Sequence, residues 1–212
     1  MDGTLVDSLY YWDFFWEGVR KKGMVDKDVI WDPVTEKAIR TVPVGQAIDL
    51  IYKSCRFYCT RDELLDFSVE LCKDFYSYEV KVKDGVMEFL EAAHAKGIKM
   101  CVASATEPEL LDVVIKRFGF DRYFPEIFSC GVIGVGKERP DIFNMAREYL
   151  GTPLDATWIF EDSVTAVETA VKAGYRTVGV YDVHAFNFDT IERISDECIR
   201  DGETMAKLIS KI

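Results

Sequence analysis

From Lys99 onward the chain alternates short β-rich runs with stretches of helical spacing, and this rhythm restricts its fold more than any other feature. The runs Met100–Ala103, Ile127–Cys130 and Trp158–Phe160 are followed by helical patterns over Pro108–Phe118, Pro140–Leu150 and Val164–Ala173. A fourth run, Thr177–Val180, leads into what reads as a short C-terminal tail. Such alternation predicts a parallel sheet covered by helices on both faces. The punctuation agrees: Pro108 and Pro140 stand where a first helical position falls, and Gly97 and Gly174 where a helix stops.

The stretch from about Ser8 to Lys83 is different. It carries three or four helical patterns and no convincing strand, with Leu9, Trp12, Trp16 and Val19 at helical spacing and a later pattern over Leu64–Tyr78. It reads as an all-α insertion. Its cluster of Tyr10, Tyr11, Trp12, Phe14, Phe15 and Trp16 could line a cleft, although an aromatic stripe on a helix more often forms core.

With 212 residues and 49% hydrophobic content, the chain can bury a sizeable core without disulfide staples. The 26 basic residues against 37 acidic ones leave a net charge of −11, and the longest basic block is Arg20-Lys21-Lys22. This balance argues against nucleic acid and anionic membranes as partners. The six cysteines form no CxxC pair and read as reduced, with Cys101 and Cys130 inside apolar runs. No stretch has the length and apolarity of a spanning helix or the pattern of a signal peptide, so a cytoplasmic location is the expectation.

Four segments carry the candidate chemistry: Met1–Ser8 (MDGTLVDS), Ile98–Thr106 (IKMCVASAT), Gly136–Phe143 (GKERPDIF) and Trp158–Val164 (WIFEDSV). In a parallel α/β sheet, ligands collect where loops leave the carboxyl ends of strands. Ser104 ends the second segment's strand with a hydroxyl able to donate to a phosphate oxygen, and the backbone N–H of Ala105 can add a second donor. Lys137, just ahead of Pro140-Asp141, offers an ammonium for phosphoryl charge. Glu161 and Asp162 place adjacent carboxylates directly after an apolar strand, where like charges crowd unless a cation joins them. A hard divalent ion such as Mg²⁺ suits that pair, and the favourable field of a helix N-terminus is the plainer alternative. Asp7 and Ser8 stand where the chain leaves for the helical stretch, and capping the helix that follows accounts for them equally well. His94 and His184 read as surface residues, and no serine-hydrolase elbow, Walker loop or dinucleotide fingerprint is present.

In this order, the four segments resemble the motifs of the haloacid dehalogenase superfamily of phosphatases and phosphomutases, and the resemblance spans nearly the whole chain. It implies a Rossmann-like parallel-sheet core over 1–8 and 84–212, with the helical segment 9–83 as an inserted cap. It further implies Asp162 as a direct Mg²⁺ ligand, Glu161 as a direct or water-bridged one, and Asp2 as the acid/base residue whose carbonyl also reaches the metal. Lys137, Ser104 and Ala105 are then the phosphate-binding positions. Dehalogenase members lack an acid at the position of Asp2, so phosphoryl chemistry is favoured over carbon–halogen cleavage.

The superfamily's first motif is Asp-x-Asp at the end of a central strand, and here Met1 takes the middle place. The nucleophilic Asp is therefore expected one position before Met1, after an upstream apolar strand. The implied activity is Mg²⁺-dependent hydrolysis of a small phosphorylated metabolite through an aspartyl phosphate. Phosphoglycolate phosphatases and β-phosphoglucomutases are the most similar groups, the latter through Val102-Ala103-Ser104-Ala105. A phosphomutase and a non-catalytic phosphometabolite-binding protein stand as alternatives. Oligomeric state is not legible in the residues.

Overall fold

A computed structural model describes residues 1–29, 33–39 and 44–212. The chain forms two compact units, Met1–Leu9 with Val80–Ile212, and Tyr10–Glu79. The strands are β1 (Val6–Asp7), β2 (Lys81–Val82), β3 (Val102–Ser104), β4 (Ile127–Ser129), β5 (Trp158–Glu161), β6 (Arg176–Val180) and β7 (Glu197–Ile199). Helices α1 (Tyr11–Lys21), α2 (Pro33–Ile39), α3 (Val44–Ser54) and α4 (Arg61–Asp74) belong to the inserted unit. The first unit carries α5 (Val86–Ala95), α6 (Pro108–Phe118), α7 (Cys130–Ile133), α8 (Asp141–Leu150), α9 (Val164–Lys172) and α10 (Phe188–Ile194).

All pairings among β3–β7 are parallel. Strand β3 pairs with β4, with Ser104 opposite Ser129, while β5, β6 and β7 form a three-stranded sheet with Glu161 opposite Gly179. The expected strands are all present, but the C-terminal tail holds more than the sequence suggested, namely α10 and β7. Two-residue β1 and β2 form an antiparallel ladder, Val6 with Val82 and Asp7 with Lys81. Neither was anticipated, because two residues cannot display a period.

Alternation along β5 distributes the helices. Ile159 packs into a cluster with Ile142 and Phe143 of α8 and Ala166 and Ala170 of α9. Its neighbour Phe160 points the other way, with its ring centroid 5.5 Å from that of Phe89 on α5. Helices thus cover both faces. Pro108 occupies the first turn of α6, and Pro140 sits one place earlier than expected, at the N-cap of α8. An apolar cavity of about 620 Å³ is lined by Val102 and Ala103 of β3, Ile159 and Phe160 of β5, Val178 of β6 and Met1.

In the inserted unit, Tyr11, Trp12, Phe15, Trp16 and Val19 of α1 are buried. The aromatic stripe is core. Tyr10 and Tyr11 set their rings 4.9 and 5.4 Å from Phe75, and the Tyr11 hydroxyl donates to the Ser68 carbonyl at 2.9 Å. Thr60 begins α4 with a capping box: its hydroxyl accepts from the Glu63 N–H, while the Glu63 carboxylate accepts from the Thr60 N–H.

Candidate active site

The chain's first residues make a tight loop. The Met1 carbonyl accepts from the N–H groups of Thr4, Leu5 and Val6, and Gly3 N–H donates to the Val6 carbonyl. Gly3 holds φ of +65°, and a Cβ there would lie 2.4 Å from Asp162 Oδ2. Only glycine meets both demands. The loop thereby lays Asp2 and Thr4 against the ends of β3 and β5.

Hydrogen bonds join the four segments in sequence-distant pairs. Asp2 Oδ2 accepts from Thr106 Oγ1 at 2.6 Å, linking the first segment to the second. Thr4 Oγ1 donates to Asp162 Oδ1 at 2.8 Å, linking the first to the fourth. The Lys137 ammonium binds Glu161 Oε1, linking the third to the fourth. Ser8 Oγ donates to Asp2 Oδ1 at 2.7 Å, and Tyr10, the N-cap of α1, makes no side-chain cap bond. Ser8 therefore supports Asp2 rather than capping the helix.

Ser104 is buried at the end of β3, and its hydroxyl accepts from the Thr106 N–H at 3.2 Å. Ser129, beside it on β4, donates to the Thr106 carbonyl at 2.9 Å. Ala105 lies exposed between Ser104 and Thr106. His94 is exposed.

The electrostatics follow from burial. Desolvation, then the neighbouring Glu161 charge, push Asp162 up to about 7, and the Thr4 hydroxyl bond works in the opposite direction. Burial disfavours the Lys137 ammonium, but Glu161 outweighs it and holds this lysine above its ordinary value. The cation expected to relieve the Glu161-Asp162 pair is thus in part Lys137, which hydrogen-bonds Glu161 and acts on Asp162 through its charge.

Among the described residues, no three His, Cys, Asp or Glu side chains converge closely enough to hold a metal ion. Asp2, Glu161 and Asp162 each turn to a separate partner: Thr106 with Ser8, Lys137, and Thr4. Their donor set still fits Mg²⁺, since it is all oxygen and Asp162 is a carboxylate whose ionisation burial opposes. Thr4 and Thr106 were not singled out in the sequence, and Ser8 was noted there without its partner Asp2, because a hydroxyl beside a loop carries no signal of what it bonds.

The fold and site define a class: a Rossmann-like α/β core with an inserted helical unit and a polar cluster at the carboxyl ends of parallel strands. The family model described as haloacid dehalogenase-like hydrolase matches residues 1–174, and the chain belongs to that family. It is 29% identical over 196 residues to a phosphorylated carbohydrates phosphatase of Thermotoga maritima, covering 88% of this chain and 84% of that protein. A Thermotoga maritima structure assigned to the β-phosphoglucomutases superposes with a TM-score of 0.81 at 21% identity, covering 100% of this chain and 96% of the other. A variant of CbbY from Rhodobacter sphaeroides, solved with xylulose-1,5-bisphosphate, gives a TM-score of 0.74 at 20% identity, covering 98% and 93%. Among the described residues, no helix is long and apolar enough to cross a membrane.

Proposed function

We propose that the chain is a Mg²⁺-dependent phosphatase of a small phosphorylated metabolite, of the sugar-phosphate class, working through an aspartyl phosphate. The observation that carries this reading is the set of three hydrogen-bonded links, Thr106 to Asp2, Thr4 to Asp162 and Lys137 to Glu161, which ties all four motif segments into one site. The relative that acts on phosphorylated carbohydrates and the CbbY complex with a sugar bisphosphate support the substrate class.

In this reading an Asp one position ahead of Met1 attacks phosphorus. The ester P–O bond breaks, and Asp2 gives its proton to the departing alcohol oxygen. Asp2 then takes a proton from the water that attacks the acyl phosphate, releasing phosphate and restoring the nucleophile. Ser104, the Ala105 N–H and Lys137 hold phosphoryl oxygens and offset their charge. Asp162 and the Asp2 carbonyl, with Glu161 directly or through water, would hold Mg²⁺, which supplies charge neutralisation at the phosphoryl group. The inserted unit of α1–α4 serves as the cap that selects the substrate.

The test is phosphate release from a panel of sugar phosphates and phosphoglycolate, with Mg²⁺ or EDTA. It compares the 212-residue chain with the same chain carrying an apolar strand that ends in Asp ahead of Met1. Mg²⁺-dependent release by the extended form is the expected result. Isomerised sugar phosphate without net release would assign a mutase, and saturable binding without turnover in either form would overturn catalysis.

A further inference from the structure

We propose that Lys83 and Asp182 form a positioning pair that fixes the Gly3 peptide and so aims Asp2 and Thr4 for phosphoryl transfer; the proposal rests on the phosphatase reading of that loop. Neither residue lies in the four motif segments. Lys83 Nζ donates to the Gly3 carbonyl at 2.9 Å, to the Tyr181 carbonyl at 2.8 Å and to Asp182 Oδ2 at 2.8 Å. All three ammonium protons are thereby used. The Asp182 side chain is 3% exposed, and its second oxygen accepts from the His184 N–H at 2.9 Å. The ammonium thus sits in a complete cage contributed by the first-segment loop and by the loop after β6.

The position of Gly3 makes this cage mechanically relevant. On one side its Cα abuts Asp162 Oδ2 with no room for a Cβ, and its carbonyl is held by Lys83. The next residue, Thr4, donates to Asp162 and the preceding one, Asp2, accepts from Ser8 and Thr106. Release of the Gly3 carbonyl frees the Gly3–Thr4 peptide plane, one of the two that join these residues. A buried ion pair is a poor way to fill space, since apolar residues of similar volume do so at lower desolvation cost. Here the pair provides direction: a tetrahedral ammonium meets three acceptors that a planar guanidinium fork cannot meet together.

The test uses Lys83→Met, Asp182→Asn and the milder Lys83→Arg, with Ile191→Val as a control destabilised at a buried position of α10 that is not among the residues of the Lys83 cage. Two readouts are taken under conditions where every variant is folded: phosphoester turnover, and amide hydrogen exchange over residues 1–9. For Lys83→Met and Asp182→Asn, kcat is expected to fall at least about tenfold with KM nearly unchanged, a loss typical of removed supporting partners. Exchange over 1–9 rises while that of α8 stays constant, and Ile191→Val shifts neither readout selectively. If Lys83→Met does not fold, Lys83→Arg carries the same expectation at smaller size. Unchanged exchange over 1–9, or a kcat loss no greater than the control's, overturns the proposal. Absence of turnover in the parent protein in every form counts against the phosphatase reading, while the exchange result still decides whether the pair pins the loop.

Discussion

Thr106 donates its hydroxyl to Oδ2 of Asp2 at 2.6 Å, although 104 residues separate them, and Ser8 occupies the other carboxylate oxygen. The acid/base candidate is therefore held on both oxygens. Hydrogen bonds to charged groups contribute about 1.5–3 kcal/mol, so Thr106→Val is expected to lower kcat about tenfold to a hundredfold. Ser8→Ala acts in the same direction, and the double variant shows less than the product because both act on one side chain. Steady-state kinetics on a shared phosphoester substrate check this, and a Thr106→Val enzyme with the parent's kcat would refute it.

These hydroxyls also mark the limit of what the chain discloses before it folds. Strands β3–β6 were legible because each is an apolar run closed by a turn signal, and α6 was legible from Pro108 to Phe118. Strand β7, Glu197–Ile199, was not, since a three-residue stretch with one charge has no pattern. At the site, the adjacency of Glu161 and Asp162 announced a need for positive charge. That Lys137 meets it at Glu161 depends on where the loop before α8 lands, and only the fold specifies this. Lys83 was invisible for the same reason: its three acceptors come from residues 3, 181 and 182.

The Lys137–Glu161 pair is 15% and 6% exposed at its two side chains, so removing one member leaves a largely desolvated charge. Breaking a buried pair costs about 3–5 kcal/mol. Lys137→Met is therefore expected to lower stability by an amount in that range, measured by urea unfolding at pH 7. Adding Glu161→Gln to Lys137→Met should recover part of the loss, because the carboxamide carries no charge to strand. If the double variant is no more stable than Lys137→Met, the pair's electrostatic account is wrong.

Gly3→Ala confronts both a positive φ and the Asp162 carboxylate. The backbone term alone is about 1–2 kcal/mol, and the added methyl must displace Asp162 Oδ2 from 2.4 Å. The parent protein is expected to gain thermal stability from Mg²⁺ and to lose that gain on EDTA treatment. Gly3→Ala should have a lower Tm and a diminished Mg²⁺ response. A variant with the parent's full Mg²⁺ shift would show that Asp162 is not where the ion binds.

Burial pushes the Cys101 thiol up to about 12 and that of Cys55 to about 11. None of the six cysteines is in a disulfide, so native thiols should alkylate slowly at pH 8 and react together in urea. The sign for stability follows from linkage. Below the unfolded thiol's value near 9, Cys101 is protonated in both states and contributes nothing to the pH dependence. Between about 9 and about 12 the unfolded chain releases this proton while the native chain keeps it, so stability falls as pH rises. At pH 10 this thiol alone lowers stability by about 1.4 kcal/mol. Cys101→Ala should therefore lose less stability than the parent between pH 8 and pH 10 in matched urea titrations, and parallel losses in the two proteins would mean that the Cys101 thiol ionises as readily in the native chain as in the unfolded one.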